Sequence, residues 1–174
     1  SRPMPPRDPQ RDCALCPRLV RYRADNRVAQ PGWHNAPVAS FGPDDAALLI
    51  VGLAPGMGGA NRTGRPFTGD YAGDLLYETL LHFGFAQGTY DRRADDGLAL
   101  RDCRITNDVR CVPPQNKPTG EEARRCRPFL QAELTQNAGL KAVLALGRIA
   151  HDGVLSALDL RRKDYAFGHG ATAL

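Results

Sequence analysis

The stretch "GLAPGMGGANRTGRPFTGD", Gly52 to Asp70, follows directly on the apolar run Ala46-Ala47-Leu48-Leu49-Ile50-Val51. A short continuous apolar run bounded by turn residues is the pattern of a strand buried on both faces of a parallel sheet. The loop after it is bare, with Gly52, Gly56, Gly58, Gly59, Gly64 and Gly69, yet it carries Asn61, Arg62, Arg65, Phe67 and Asp70. Glycines let a ligand approach the backbone, and the few side chains between them are the candidates to touch it. A dinucleotide fingerprint does not fit: Gly56-Met57-Gly58-Gly59-Ala60-Asn61 ends in asparagine, and Pro55 stands between it and the strand. A P-loop does not fit either, because the stretch contains no lysine. An ordinary surface loop leaves Arg65-Pro66-Phe67, a rigidly held aromatic, without a purpose. Asp70, just ahead of a helical pattern, reads on its own as an N-cap.

Working outward, Leu75, Leu76, Thr79, Leu80 and Phe83 recur at helical spacing, which predicts a helix over 70–83 stopped by Gly84. Residues 86–102 read as polar loop, and Arg104 to Arg110 as a second strand. Thr119-Gly120-Glu121-Glu122 is a capping-box pattern that opens a helix to about Gln136. Lys141 to Leu146 reads as a third buried strand, and Arg148 to about Leu158 as the helix that follows it. Upstream, Arg18 to Asn26 reads as a short helix, residues 30–45 as Pro- and Gly-rich loop, and residues 1–12 as a mobile tail. Strands alternate with helices, so the fold class is α/β: a three-layer α-β-α arrangement around a mostly parallel sheet of about four strands. Ligands of such sheets sit outside the carboxyl ends of the strands. The glycine-rich loop, the segment Asn107 to Cys111 and Gly147 all lie at such ends.

Chain length and composition fit one domain spanning residues 1–174. No apolar stretch approaches the roughly 20 residues that cross a bilayer, and "SRPMPPRDPQRD" has no apolar secretory core. A membrane partner and secretion are therefore not expected. The formal net charge is +4, and the basic residues are arginine except Lys117, Lys141 and Lys163. That excess permits a nucleic-acid partner, and genomic base composition explains arginine bias equally well.

There are 5 cysteines. An odd count argues against a disulfide scaffold. Cys13-x-x-Cys16 has metal-type spacing; Cys111 precedes a Pro-Pro turn, and Cys126 lies on the helix after it. Four such thiolates can hold zinc or an iron–sulfur cluster, although zinc sites more often close with a second CxxC. Cys103 has no partner in this pattern and reads as a small buried residue.

Gly52-Leu53-Ala54-Pro55-Gly56 together with Gly59-Ala60-Asn61-Arg62-Thr63-Gly64-Arg65-Pro66-Phe67-Thr68-Gly69-Asp70 closely resembles the first motif of the uracil-DNA glycosylase superfamily, in particular its family 5. The resemblance extends to "CALCPRLV" (13–20), "ITNDVRCVPPQNKPTGEEARRCRPFL" (105–130) and "ALGRIA" (145–150), and so covers nearly the whole chain. It implies an enzyme of DNA repair that flips uracil, and other deaminated bases such as hypoxanthine, out of DNA and hydrolyses the N-glycosidic bond. It implies base binding by Gly52, Ala54, Gly56, Phe67 and Asn107, and a catalytic acid at Asp70. It also implies a structural [4Fe–4S] cluster on Cys13, Cys16, Cys111 and Cys126. The protein would be a monomer acting on DNA in the cytoplasm, associated with the nucleoid.

The bare loop then acquires a physical purpose. Backbone N–H groups can reach a flipped base and the negative charge left on it as it departs, while Phe67 offers a stacking face. Leu53 and Ala54, where related groups carry a polar residue, are inert toward water. A side-chain amide at Asn107 can pair with uracil O4 and N3–H, a pattern that cytosine presents in reverse. Asp74, His34, His82, His151 and His169 read as structural or solvent-facing. The family's second, histidine-bearing motif is not found before Leu174. This leaves an alternative: a catalytically weak nucleic-acid-binding module with a structural metal centre. A small nucleotide-binding α/β protein is disfavoured by the failed fingerprints.

Overall fold

The computed structural model describes residues 2–174. Its centre is β1 (Leu48–Gly52), whose last four residues are buried. It lies between β4 (Cys103–Asn107) and β5 (Ala142–Ala145), parallel to both, in the order β4-β1-β5. Among the described residues this parallel sheet has three strands, where the sequence predicts about four. A single antiparallel bridge from Phe41 to Ile105 takes the outer edge of β4.

Helices cover both faces, which makes the three-layer arrangement that the alternation of elements predicts. On one face α3 (Tyr71–His82) packs Tyr77 and Leu80 against Ile50, Cys103 and Ile105. On the other, α4 (Gly120–Thr135) and α5 (Arg148–Ala157) place Leu130, Leu134, Ala150 and Val154 against Leu49 and Val51. Side chains alternate across a strand, so Ile50 and Leu49 each serve one layer. The predicted capping box is formed: Thr119 Oγ1 accepts from Glu122 N–H and Glu122 Oε1 accepts from Thr119 N–H. At the amino end α1 (Pro17–Ala29) starts on Pro17, whose missing N–H costs nothing at a first helical position. Its Leu19 meets Val109 and Ala123 in a third apolar cluster.

Two features are not in the sequence reading. A one-turn helix, α2 (Ala60–Thr63), interrupts the glycine-rich loop and ends on Gly64 in the left-handed region (φ 82°). Within residues 86–102, β2 (Ala86–Gln87) and β3 (Ala99–Leu100) form a small antiparallel hairpin. Its buried Ala86, Leu98 and Leu100 close the α3 side of the core. The second strand also ends earlier than predicted. Asp108 and Val109 leave the ladder, although their N–H groups still reach Gly52 and Leu53 carbonyls at 2.9 Å each.

Candidate active site

Parallel register sets Gly52 beside Asn107 at the carboxyl end of the sheet. A Cβ on Gly52 would lie 2.6 Å from Asn107 Oδ1 and 2.6 Å from Phe67 Cε2. Only glycine lets the aromatic ring and the amide close on the strand end together. Asn107 is 2% exposed, and its Oδ1 is buried with no hydrogen-bond partner. An unsatisfied buried acceptor costs on the order of 1–3 kcal/mol. Asn107 also lines a cavity of about 650 Å³.

The cavity lies where the sequence reading expects a site, between the glycine-rich loop, α3 and the ends of the strands. Ala54, Gly56, Phe67, Asp70 and Asn107 all line it. Gly52 does not; it stands behind the Phe67 ring and Asn107, and its contribution is space. Leu53 forms part of an inert wall. Among the described residues, the N–H groups of Ala54 and Gly56 donate to no backbone acceptor, so they are available to a bound anion.

Phe67 has φ 55°, in the left-handed region that non-glycine residues rarely occupy. The carbonyl of Phe67 packs directly against Gly73 on α3, where any Cβ would collide. Asn61 is 1% exposed and donates to Asn35 Oδ1 at 3.0 Å, which pins the loop to the segment before β1. Arg65 is also buried; it turns away from the cavity toward Asp96.

Of the two roles that compete for Asp70 in the sequence, cap and catalytic acid, the structure shows the first. It is the N-cap of α3, with Oδ1 accepting from Gly73 N–H at 3.0 Å. Its Oδ2 faces the backbone at Gly56 and Gly59; a Cβ on Gly56 would stand 3.0 Å from that oxygen. One oxygen is thus spent on the helix while the other is turned to the loop and cavity. Asp74 is on the outside, paired with Arg92.

Cys13, Cys16, Cys111 and Cys126 line one small cavity, walled by Leu19 and Val109. Burial pushes the Cys111 thiol up to about 12, with Cys126, Cys13 and Cys16 adding repulsion. It also pushes Cys126 up to about 11 and raises Cys16. Cys16, Cys111 and Cys126 are thus held toward the neutral thiol, whereas a metal ligand is the thiolate. Arg23, donating toward Cys111 Sγ at 3.7 Å, supplies one cation. Among the described residues, no three His, Cys, Asp or Glu side chains are gathered as ligands of a single metal ion. Cys103 is in the main core, away from this group.

The histidines stay outside the cavity. His34 and His151 bond backbone carbonyls of Pro37 and Tyr165, at 3.0 and 2.7 Å, and His169 stacks edge-on to Phe167. Two residues escape the sequence reading. Asn116 lines the cavity from a tight turn in which it and Gln115 both have φ 57°. Asp108, next to Asn107, is 1% exposed with neither carboxylate oxygen hydrogen-bonded. The available signal for Asp108 is its place as the lone acid in the run Ile105 to Val112 at the end of the second strand.

The geometry agrees with comparison to known proteins. Residues 39–172 match the model of the uracil DNA glycosylase superfamily. A type-5 uracil-DNA glycosylase of Thermus thermophilus is 43% identical over 165 residues, 91% of this chain and 74% of that protein. One of Pyrobaculum aerophilum is 40% identical over 163 residues, 91% of this chain and 71% of its own length. A type-4 enzyme of Archaeoglobus fulgidus is 34% identical over 124 residues, 71% of this chain. With the family model spanning most of the chain and type-5 relatives aligned along nine-tenths of it, the chain belongs to the uracil-DNA glycosylase superfamily, on its type-5 side.

Proposed function

We propose that this protein is a DNA-repair glycosylase that takes a flipped-out uracil into the cavity, hydrolyses its N-glycosidic bond and leaves an abasic site. The observation that carries this reading is the unpartnered Oδ1 of Asn107, buried beside the Phe67 ring at the strand ends. That oxygen accepts from uracil N3–H while the amide nitrogen donates to O4; cytosine offers a lone pair at N3 and an amino group at C4, so both bonds fail. The Phe67 ring stacks on the base, a contact worth about 1–3 kcal/mol. Free N–H groups at Ala54 and Gly56 stabilise negative charge on the departing base. Asp70 Oδ2 steadies positive charge on the sugar or orients the attacking water, because Leu53 and Ala54 can do neither. The inert wall leaves the rest of the cavity undemanding, which supports acceptance of other deaminated bases such as hypoxanthine.

The same reading assigns a [4Fe–4S] cluster to Cys13, Cys16, Cys111 and Cys126, with zinc as the alternative. The donor set fits: four sulfurs on one cavity, soft ligands suited to either metal centre. Bound there, the group supplies a cross-link between the segment before α1 and the chain on both sides of the Pro113-Pro114 turn. The protein would act as a monomer on chromosomal DNA in the cytoplasm.

The test is incubation with an end-labelled duplex containing one uracil, followed by alkali. Cleavage at the uracil is expected, along with weaker uracil-against-cytosine discrimination in Asn107→Ala by about 1–3 kcal/mol. Binding without cleavage would favour the binding module over the enzyme.

A further inference from the structure

Phe67 sits in a backbone conformation that its own side chain disfavours, and the chain around it is unusually tied. The carbonyl before it, Pro66 O, accepts from Tyr77 Oη at 2.5 Å and from Thr68 Oγ1 at 3.1 Å. The carbonyl after it, Thr68 O, accepts from Thr63 Oγ1 at 2.8 Å. Gly69 N–H donates to Tyr90 Oη at 3.3 Å. The knot at the centre is Arg65, whose Nε donates to Thr68 Oγ1 at 2.8 Å. Its guanidinium lies 5.0 Å from the Phe41 ring centre, 5.3 Å from that of Tyr77 and 5.7 Å from that of Tyr90.

Arg65 is itself oriented from a distant place. Both its terminal nitrogens donate to Asp96, at 2.8 and 2.9 Å. The Asp96 side chain is fully buried and also accepts the N–H groups of Asp91 and Leu98, at 2.8 and 3.0 Å. It is therefore fixed by its own loop, between β2 and β3, before it fixes anything else. A planar fork bound in bidentate fashion has one orientation, and that orientation aims Nε at Thr68.

We infer that Asp96 is a positioning residue of the cavity: through Arg65 and Thr68 it holds Phe67 in the left-handed conformation that presents its ring to the base. The inference rests on the reading of the cavity as a base pocket. It gives the small hairpin a task in catalysis, since Asp96 does not line the cavity.

A double-mutant cycle tests it. Asp96→Asn is expected to lower kcat/KM on uracil duplex by about tenfold or more, within the 10²-fold scale of a 1 Å misplacement. In a Phe67→Ala background the same change is expected to cost less than about twofold, since acting through one ring makes the effects non-additive. Equal losses in both backgrounds would overturn the proposal. If Asp96→Asn fails to fold, Arg65→Lys serves in its place; it keeps the charge and loses the fork. A readout independent of activity uses protein labelled with 4-fluorophenylalanine, with the Phe67 resonance assigned by its absence in Phe67→Leu. The Phe67 resonance is expected to move or broaden in Asp96→Asn while that of Phe129 stays in place. An unmoved Phe67 resonance would overturn the proposal whatever the activity. A moved resonance in a protein that never excised uracil would overturn the proposed function alone.

Discussion

Two carboxylates, Asp70 and Asp108, show how differently one functional group behaves in two settings. Asp70 divides its oxygens between the α3 cap and the loop. Asn caps helices as well as Asp does, so Asp70→Asn should keep its melting temperature and DNA affinity. Excision should fall by about 10²-fold or more, the scale of one proton-transfer or electrostatic group. Retained excision in that variant, measured by single-turnover kinetics, would reduce Asp70 to a cap. Asp108 has no such division. Burial raises its carboxyl to about 6 against the pull of Arg127 and Arg110. The folded protein thus holds a proton that the unfolded chain has already released. Stability therefore falls as pH rises from about 3.8 to about 6 and stays reduced above it. Asp108→Asn should be more stable than the parent near pH 7.5 by on the order of 1–3 kcal/mol, with the gap closing near pH 4. Thermal melts at the two pH values check this. A less stable variant near neutrality would mean that Arg127, 3.6 Å away, needs the charge.

At the level of elements, what the sequence revealed and what it hid divide on physical grounds. β1 and β5 were legible as apolar runs and β4 by its alternation, although β5, expected to be buried, is a half-exposed edge strand; α4 was legible because its capping box is local. The hairpin was hidden. Its strands are two residues each, and what holds its connecting loop is the pairing of Asp96 with an arginine 31 residues earlier. The turn α2 was hidden among glycines. In the cavity, Phe67 and Asn107 were legible as residue types, through the resemblance of their motifs. The left-handed backbone of Phe67 was not, because nothing in an Arg-Pro-Phe sequence demands it. Distant pairings of this kind also staple helices to the sheet. Arg104 on β4 meets Glu133 on α4 through two hydrogen bonds of 2.9 Å each, both side chains buried. Removing one partner of such a pair costs about 3–5 kcal/mol. Glu133→Gln should therefore lower stability by that order in urea titration while the folded fraction excises normally. A loss well under about 1 kcal/mol would show that desolvation cancels the attraction.

Across the whole molecule, the four-cysteine cavity joins segments already tied by Arg18 to Glu122 and by Leu19 against Val109 and Ala123. With a cluster on those thiols, Cys111→Ser should lose iron and the broad absorption near about 400 nm, and should melt earlier. Cys103→Ser, altered in the core alone, should keep both. Iron and zinc analysis of the purified proteins checks this; a colourless protein with one zinc would overturn the iron assignment. The amino-terminal segment is bound a second way. Buried Arg110 donates to Asp8 Oδ1 at 2.6 Å and to the Arg7 carbonyl at 2.9 Å, and Arg7 donates in turn to the Asp44 and Gln136 carbonyls.

That clasp has a consequence for biosynthesis. Asp8 and Arg110 lie 102 residues apart in the chain. At a translation rate of about 5–20 residues per second, the first is made roughly 5–20 s before the second. Throughout that interval the nascent amino end can reach only early partners such as Ser40 and Asp44, while Cys13 and Cys16 still lack Cys111 and Cys126, which lie beyond β4 and on α4. The two early thiols are thus most open to oxidation or to metal capture during synthesis, and become sheltered once Cys126 has emerged and α4 has packed.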